Sequence, residues 1–392
     1  MKPGVLVVIP RIIYPAVSGG ELRVYSLLRR LSGRYRFSLL TFIEPRARAQ
    51  SLAAAMSLEK SLVERVHCVE RSPSPRLVEG TALPSDFYRS RELARGLRAI
   101  LARGGTDLVQ IEFAEMAQYA RDAGGRVPVV LTEHDTSVLS RDRSYLRKAL
   151  GARTLRRQRA YHRRALSRCD RVVVMSEADR ERMAEFVDAR RLCVVPTGVD
   201  LEQFPVAPWA GRRGRTIVFV GHYLHYPNQD AAVRLRREIL PRVARRAPGA
   251  RLLLVGSGVT GSVRALAGPS VRVTGPVESV HPFLAGAKVF AAPMRLGHGI
   301  KGKLLEAFAA GVPVVASTQA CEGIPQAKHG EHLLQADDPE RFAGHVARLL
   351  VDPALGRSLA RAARALVERH FRWEQSAARL DRLYKDLLDA RA

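Results

Sequence analysis

The chain has 392 residues, with 64 Lys and Arg against 38 Asp and Glu, for a formal net charge of +26. That length implies two or three domains, each able to bury its own core, and an apolar content of 46% excludes a disordered or fibrous chain. Four scattered cysteines (Cys68, Cys169, Cys193 and Cys321), with no Cys-x-x-Cys pair, argue against a disulfide framework and a structural zinc, and no apolar run approaches the roughly 20 residues that span a bilayer.

The positive excess, carried mostly by Arg, fits either a polyanionic partner, nucleic acid or an anionic membrane surface, or a compositional bias spread over solvated faces. The apolar stretch 5–9 is too short for a signal h-region and is followed at once by Pro10 and Arg11, so a cytoplasmic chain is expected, at most peripheral to a membrane.

In chain order, residues 5–9 read as a buried parallel strand, followed by a loop ending Ser18-Gly19-Gly20 and an amphipathic helix with Leu22, Leu27, Leu28 and Leu31. Two adjacent glycines at a helix start admit a phosphate, or serve a plain turn. Further strands are expected at 36–42, 66–69, 108–111 and 127–132, with helices between them; this alternation predicts a doubly wound parallel sheet. Glu112 directly follows one of these strands. Glu133-His134-Asp135 follows another, at the end where such sheets bind ligands; the alternative for His134 is a bond to neighbouring backbone. Asp135 reads as a helix cap.

Residues 141–168 hold eleven Lys or Arg against the single acid Asp142 and look helical, without one wide apolar stripe. Such a helix suits anionic phospholipid, or is a solvated face. Strand 172–175 leads to Ser176 as a cap, and strand 192–195 delivers Pro196-Thr197-Gly198-Val199-Asp200. Residues 201–214 lack periodicity and read as a linker.

A second strand-helix series begins at Thr216. Its expected strands are 217–220, ending in Gly221-His222, 252–255, ending in Gly256-Ser257-Gly258, and 271–274, with a helix near Ser279. Strand 289–292 then enters a loop whose glycines 297, 299 and 302 permit close backbone approach, and Arg295, Lys301 and Lys303 surround it. A helix starting near Gly302 would aim unpaired N–H groups across that loop, making an anion site suited to a diphosphate. Glu306 lies one turn inside. Gly311 and Pro313 stop the helix before strand 312–316, and Glu322-Gly323 follows. Asp338-Pro339 opens another helix, and the chain stays helical from 355 onward.

The run Glu306-Ala307-Phe308-Ala309-Ala310-Gly311-Val312-Pro313-Val314-Val315-Ala316 resembles the nucleotide-sugar motif of retaining GT-B glycosyltransferases, specifically glycosyltransferase family 4. Members typically carry a Glu, seven residues, then Glu-Ala-x-Ala-x-Gly-x-Pro-Val-Val-Ala; the first Glu falls here on His298, in a Gly-x-Gly-x-Lys loop variant. The Pro196 run is similar to the family's Pro-Asn-Gly-Val-Asp, with Thr197 in place of Asn.

The resemblance implies an α/β GT-B fold: two doubly wound Rossmann-like domains facing a central cleft, and a last helix crossing back to the first domain. The implied boundaries are an acceptor-side domain at 1–200, the linker 201–214, a nucleotide-sugar domain at 215–372 and the returning helix 373–392. It implies a retaining, metal-independent transfer of a sugar from a nucleotide diphosphate sugar to an acceptor, by analogy a lipid-linked glycan or polysaccharide precursor. No cofactor and no metal are expected, and UDP, GDP and ADP all remain open as the donor base.

The residues carrying the chemistry would be His134, against the transferred sugar, with Lys303 and Glu306, the latter against the ribose. Donor contacts would come from Gly19, Gly20, Arg295, His298, Gly299, Ile300, Lys301, Gly302, Leu304 and Glu322, with Glu322 facing sugar or ribose, or else lying in a surface turn. An Arg and a Lys that grip the diphosphate in many relatives fall on His222 and Pro227, which shifts that task to Arg295, Lys301 and Lys303. No catalytic base is named, because the acceptor hydroxyl is thought to attack on the leaving-group face. Domain closure about the linker would exclude water. Partners are then the nucleotide sugar, a glycan or lipid-linked acceptor and, through 141–168, an anionic membrane on the inner face of the cytoplasmic membrane. The rival reading is a basic GT-B-like binding protein without turnover, holding nucleic acid or acidic glycan; no nucleic-acid signature supports it. An epimerase or phosphorylase on the same fold is a third.

Overall fold

The computed structural model describes residues 1–16, 18–71, 83–136, 144–212 and 214–391, which fall into two compact units: Met1–Pro196 with Ser376–Ala392, and Thr197–Gln375. The first unit holds strands β1 (Gly4–Ile9), β2 (Arg36–Ile43), β3 (Arg65–Glu70), β4 (Leu108–Glu112), β5 (Val129–Thr132), β6 (Arg171–Val174) and β7 (Leu192–Val194), in the order β3-β2-β1-β4-β5-β6-β7. Every neighbouring pair is parallel. Helices cover both faces, so β1, β4 and β5 are buried at every position. Gln110 and Glu112 on β4 are buried with them and need polar partners.

The strand order reverses between β1 and β4, and the crevice beyond their C-terminal ends is where such sheets take ligands. The helix Gly19–Leu31 starts there with a capping box: the Ser18 hydroxyl accepts from the Glu21 N–H, and Glu21 accepts from the Ser18 N–H. The last helix, Trp373–Asp389, returns its residues from Ser376 onward to this unit. Its Tyr384 hydroxyl donates to Gln110 at 3.0 Å, and its ring meets Tyr35 edge-on at 5.3 Å.

The basic segment is the helix Ser144–Leu166; residues 141–143 lie outside the described ones, as does the stretch that Asp135 would cap. Its buried side chains include Thr154, Leu155, Gln158, His162, Ala165 and Leu166, spaced three or four apart. A buried stripe does exist, though not the wide apolar one whose absence the sequence shows. It was invisible because half of its members are polar.

The second unit holds β8 (Thr216–Val220), β9 (Arg251–Val255), β10 (Val271–Val273), β11 (Val289–Ala292), β12 (Val314–Ala316) and β13 (Leu334–Gln335), all parallel, in the order β10-β9-β8-β11-β12-β13. The order reverses between β8 and β11. Strand β12 starts two residues later than expected, because Gly311, at φ +66°, and Val312, whose N–H donates to the Ala307 carbonyl at 2.9 Å, still belong to the end of the preceding helix. Gly256 has φ +132°, and a Cβ there would lie 2.1 Å from the Gly221 carbonyl oxygen, so the turns after β8 and β9 touch only because this residue has no side chain.

The stretch read as a linker packs into this second unit. Phe204 is buried, and the buried Arg212 guanidinium donates to the carbonyls of Ala287, Ala310 and Gly311 at 2.8, 3.0 and 2.8 Å, closing two helix ends. Aperiodic sequence here means a tethered crossing, since its anchors are single residues.

Candidate active site

Two groups of residues gather at the C-terminal ends of the two sheets, one in each unit. In the second unit the helix Gly302–Ala309 begins just beyond β11. Its N-cap, Lys301, makes no side-chain bond to the helix, so the amides of Gly302 and Lys303 receive no side-chain cap. Gly297 and Gly299 have φ of +87° and +76°, and a Cβ on Gly302 would meet nothing within 4 Å. The space beside Gly302, at the helix start, is open.

Lys303 donates to the Asn228 side-chain oxygen, and its ammonium lies 4.6 Å from the centroid of the Phe219 ring. Burial pulls its pKa down from 10.5 to about 7, repulsion from Lys301 adds to this, and Glu306 opposes it. Burial pushes Glu306 up from 4.5 to about 7, with Lys303 opposing. Two opposite charges have thus been placed in a site that is poor for either, and an incoming diphosphate would favour the ammonium.

The other loop cations are engaged differently. Arg295 forms a two-pronged pair with Asp230, at 3.1 and 2.5 Å. Lys301 donates to the carbonyls of His298 and Gly299 at 2.7 and 3.2 Å, folding back over its own loop. Leu304 is fully buried in the core and its N–H donates to Lys301, so it holds the helix in place from behind. Ile300 packs partly buried against the same core, and Gly323 sits flush on it: a Cβ at 323 would lie 2.5 Å from the Ile300 nitrogen.

His298 is 3.0 Å from the Glu322 carboxylate through Nδ1. Gln319 donates to the Gly297 carbonyl at 2.7 Å and to Glu322 at 3.3 Å. The loop is therefore fastened to the turn after β12, and a carboxylate reaches the site from there.

In the first unit, Gly20 and His134 are brought together. A Cβ on Gly20 would fall 2.7 Å from the Phe113 ring and 3.4 Å from His134 Nδ1. The Phe113 and His134 rings stack at 3.9 Å with 15° between planes, and His134 Nε2 lies 2.6 Å from the Glu112 carboxylate. Gly19 presents open space at its Cβ position.

Sequence reading missed Asn228, Asp230, Gln319 and Phe113. The first two sit in the opening turns of the helix Tyr226–Arg234 at the β8–β11 crevice, a position that is itself a signal; the other two had none beyond proximity to a motif.

Residues 17–203 match the family model described as Glycosyltransferase Family 4, and residues 214–352 match the one described as Glycosyl transferases group 1. The two doubly wound sheets beneath these matches fit a GT-B fold, and the matches support a glycosyltransferase of family 4.

Among particular relatives, a phosphatidyl-myo-inositol mannosyltransferase of Mycolicibacterium smegmatis is 29% identical over 272 residues, covering 67% of this chain and 66% of that protein. A GDP-mannose-dependent alpha-(1-6)-phosphatidylinositol monomannoside mannosyltransferase of Mycobacterium tuberculosis is 33% identical over 238 residues, covering 54% of this chain and 60% of that one. Both alignments span less than two thirds of the relative's length. Sucrose-phosphate synthase from Thermosynechococcus elongatus shares the fold with a TM-score of 0.78 at 18% identity, with all of both chains covered.

Proposed function

We propose that this protein transfers a sugar, with retention of anomeric configuration, from a nucleotide diphosphate sugar to a lipid-linked acceptor. The observation that carries the reading is the open start of the helix Gly302–Ala309 with the Lys303 ammonium beside it. Negative charge grows on the diphosphate as the glycosidic bond breaks, and fixed N–H groups and a cation aimed there lower the barrier. These groups perform the task that a divalent ion performs in other transferases, so the transfer is expected to need neither metal nor cofactor.

Glu306, one turn in, is of the right type to accept from the two ribose hydroxyls. Within the second unit, the His298–Glu322 pair is assigned to the transferred sugar. GDP-mannose is the first donor to test, since one relative's name specifies it, and phosphatidylinositol is the first acceptor for the same reason.

An anionic lipid surface is the natural place for such an acceptor. The exposed face of the helix Ser144–Leu166 carries Arg153, Arg156, Arg157, Arg163 and Arg164, and among the described residues no helix is long and apolar enough to cross a membrane. Peripheral attachment through this face, at the inner side of the cytoplasmic membrane, follows from the proposal.

The test is a transfer assay in which GDP-mannose and UDP-glucose are each offered to vesicles with and without phosphatidylinositol, in chelator. Glycolipid formed with an unchanged anomeric configuration supports the reading. No donor binding, together with steeply salt-dependent binding to DNA, would favour the basic binding protein instead.

A further inference from the structure

A histidine that must touch a sugar hydroxyl needs one defined tautomer and one defined ring plane. Around His134, neighbours fix one face of the ring and its Nε2 edge. One face lies on Phe113, whose backbone is held at φ +70°, a left-handed conformation costly for an aromatic residue. Gly20 closes on the same pair and has no side chain to part them. The Nε2 edge is 2.6 Å from Glu112.

Glu112 is in turn held from behind. Its other oxygen accepts from Gln110 at 3.1 Å and from Thr132 at 3.4 Å, and the carbonyl oxygen of Gln110 accepts from Tyr384 on the returning helix at 3.0 Å. Both partners of the Glu112–His134 contact have side chains only 7% exposed. The one polar atom left over is His134 Nδ1, buried and without a hydrogen-bond partner among the described residues, beside Gly20 at the start of the helix Gly19–Leu31.

We propose that Glu112 is a positioning residue for His134. Its carboxylate accepts from Nε2–H and so fixes the tautomer whose Nδ1 carries a lone pair, ready to accept from a hydroxyl of the substrate seated at Gly19–Gly20. The line Tyr384, Gln110, Glu112, His134 makes the last helix part of this support. Buried carboxylates rarely sit 2.6 Å from an imidazole without setting its proton, and the stacked Phe113 removes the freedom to flip.

This inference rests on the transferase reading for the hydroxyl it names, but the dyad can be tested apart from it. Glu112→Gln keeps size and shape and can offer its amide N–H to Nε2, which reverses the tautomer. The expected result is a kcat at least about ten-fold lower with donor KM within about two-fold, because the lost interaction belongs to the transition state and not to donor binding.

In parallel, nitrogen-15 spectra of the histidine rings, assigned with His134→Gln, should show protonation at Nε2 in the wild type and its redistribution in Glu112→Gln. A purely structural role would lower Tm and leave kcat and the tautomer unchanged, and that outcome overturns the proposal. If the wild type transfers no sugar, the spectra alone decide: unchanged ring signals in Glu112→Gln sink the dyad, and a tautomer shift sustains it.

Discussion

The two units build their functional ends by opposite means. In the second, one continuous stretch supplies strand, glycine loop, helix start, Lys303 and Glu306, so the anion site is local in sequence. In the first, Gly20, Phe113, Glu112 and His134 come from three separate segments and meet only after the sheet has formed. A site that binds charge can be made from one helix end and its neighbours, whereas a site that orients a ring needs contacts from several directions. The first kind tolerates variation at its rim; the second should fail through any one of its walls.

This contrast can be broken most decisively at Lys303. Lys303→Ala should lower kcat/KM for the donor by about 100-fold or more, measured by steady-state transfer, since it removes a half-buried cation from the developing charge. A ten-fold loss or more is expected for Glu306→Ala, seen chiefly in donor affinity by calorimetry, as a charge-assisted bond to the ribose disappears. Gly20→Ala should cost several-fold in kcat while donor affinity stays, because its Cβ would drive Phe113 off His134, whereas the donor's diphosphate is assigned to the second unit.

The pH response follows from the opposed shifts at Lys303 and Glu306. Lys303 is lowered from 10.5 to about 7, so between these values the unfolded chain holds the extra proton and stability rises with pH. Glu306 is raised from 4.5 to about 7, so across that window the folded chain holds the extra proton and stability falls as pH rises. Together they place a minimum near pH 7, to be read as the difference in denaturation midpoint between wild type and Lys303→Met/Glu306→Gln. The same shift makes donor binding take up a proton above pH 7, and calorimetry in buffers of different ionisation enthalpy should show that uptake vanish in Lys303→Met.

The smallest effect sharpens the contrast from within the anion site. Arg295 is already paired with Asp230, so Arg295→Ala should change kcat/KM by less than about three-fold. Its charge is largely answered before any ligand arrives.

The same difference in locality explains what was legible in the sequence. Both parallel sheets could be read, since buried strands are continuous apolar runs separated by amphipathic helices. A helix start near Gly302 could be read, because glycines and a run of matching residues define it, and the helix begins at that residue. The buried stripe of the basic helix could not, since Thr154, Gln158 and His162 look polar until their surroundings are known. Glu112 stood out at the end of β4, yet its task became visible only with His134 at 2.6 Å, a pairing across 22 residues that no local spacing encodes. The two-residue strand β13 and the anchoring by Arg212 escaped for a similar reason: each rests on only one or two residues of sequence.

The central claim is that the leaving diphosphate rests on the amino end of the helix Gly302–Ala309. The most direct measurement is a crystal structure of the protein soaked with GDP and, separately, with UDP. The account expects phosphate oxygens within about 3 Å of the first helical N–H groups and of the Lys303 ammonium. Phosphates seated elsewhere on the second unit, with that helix start still facing solvent, would contradict it.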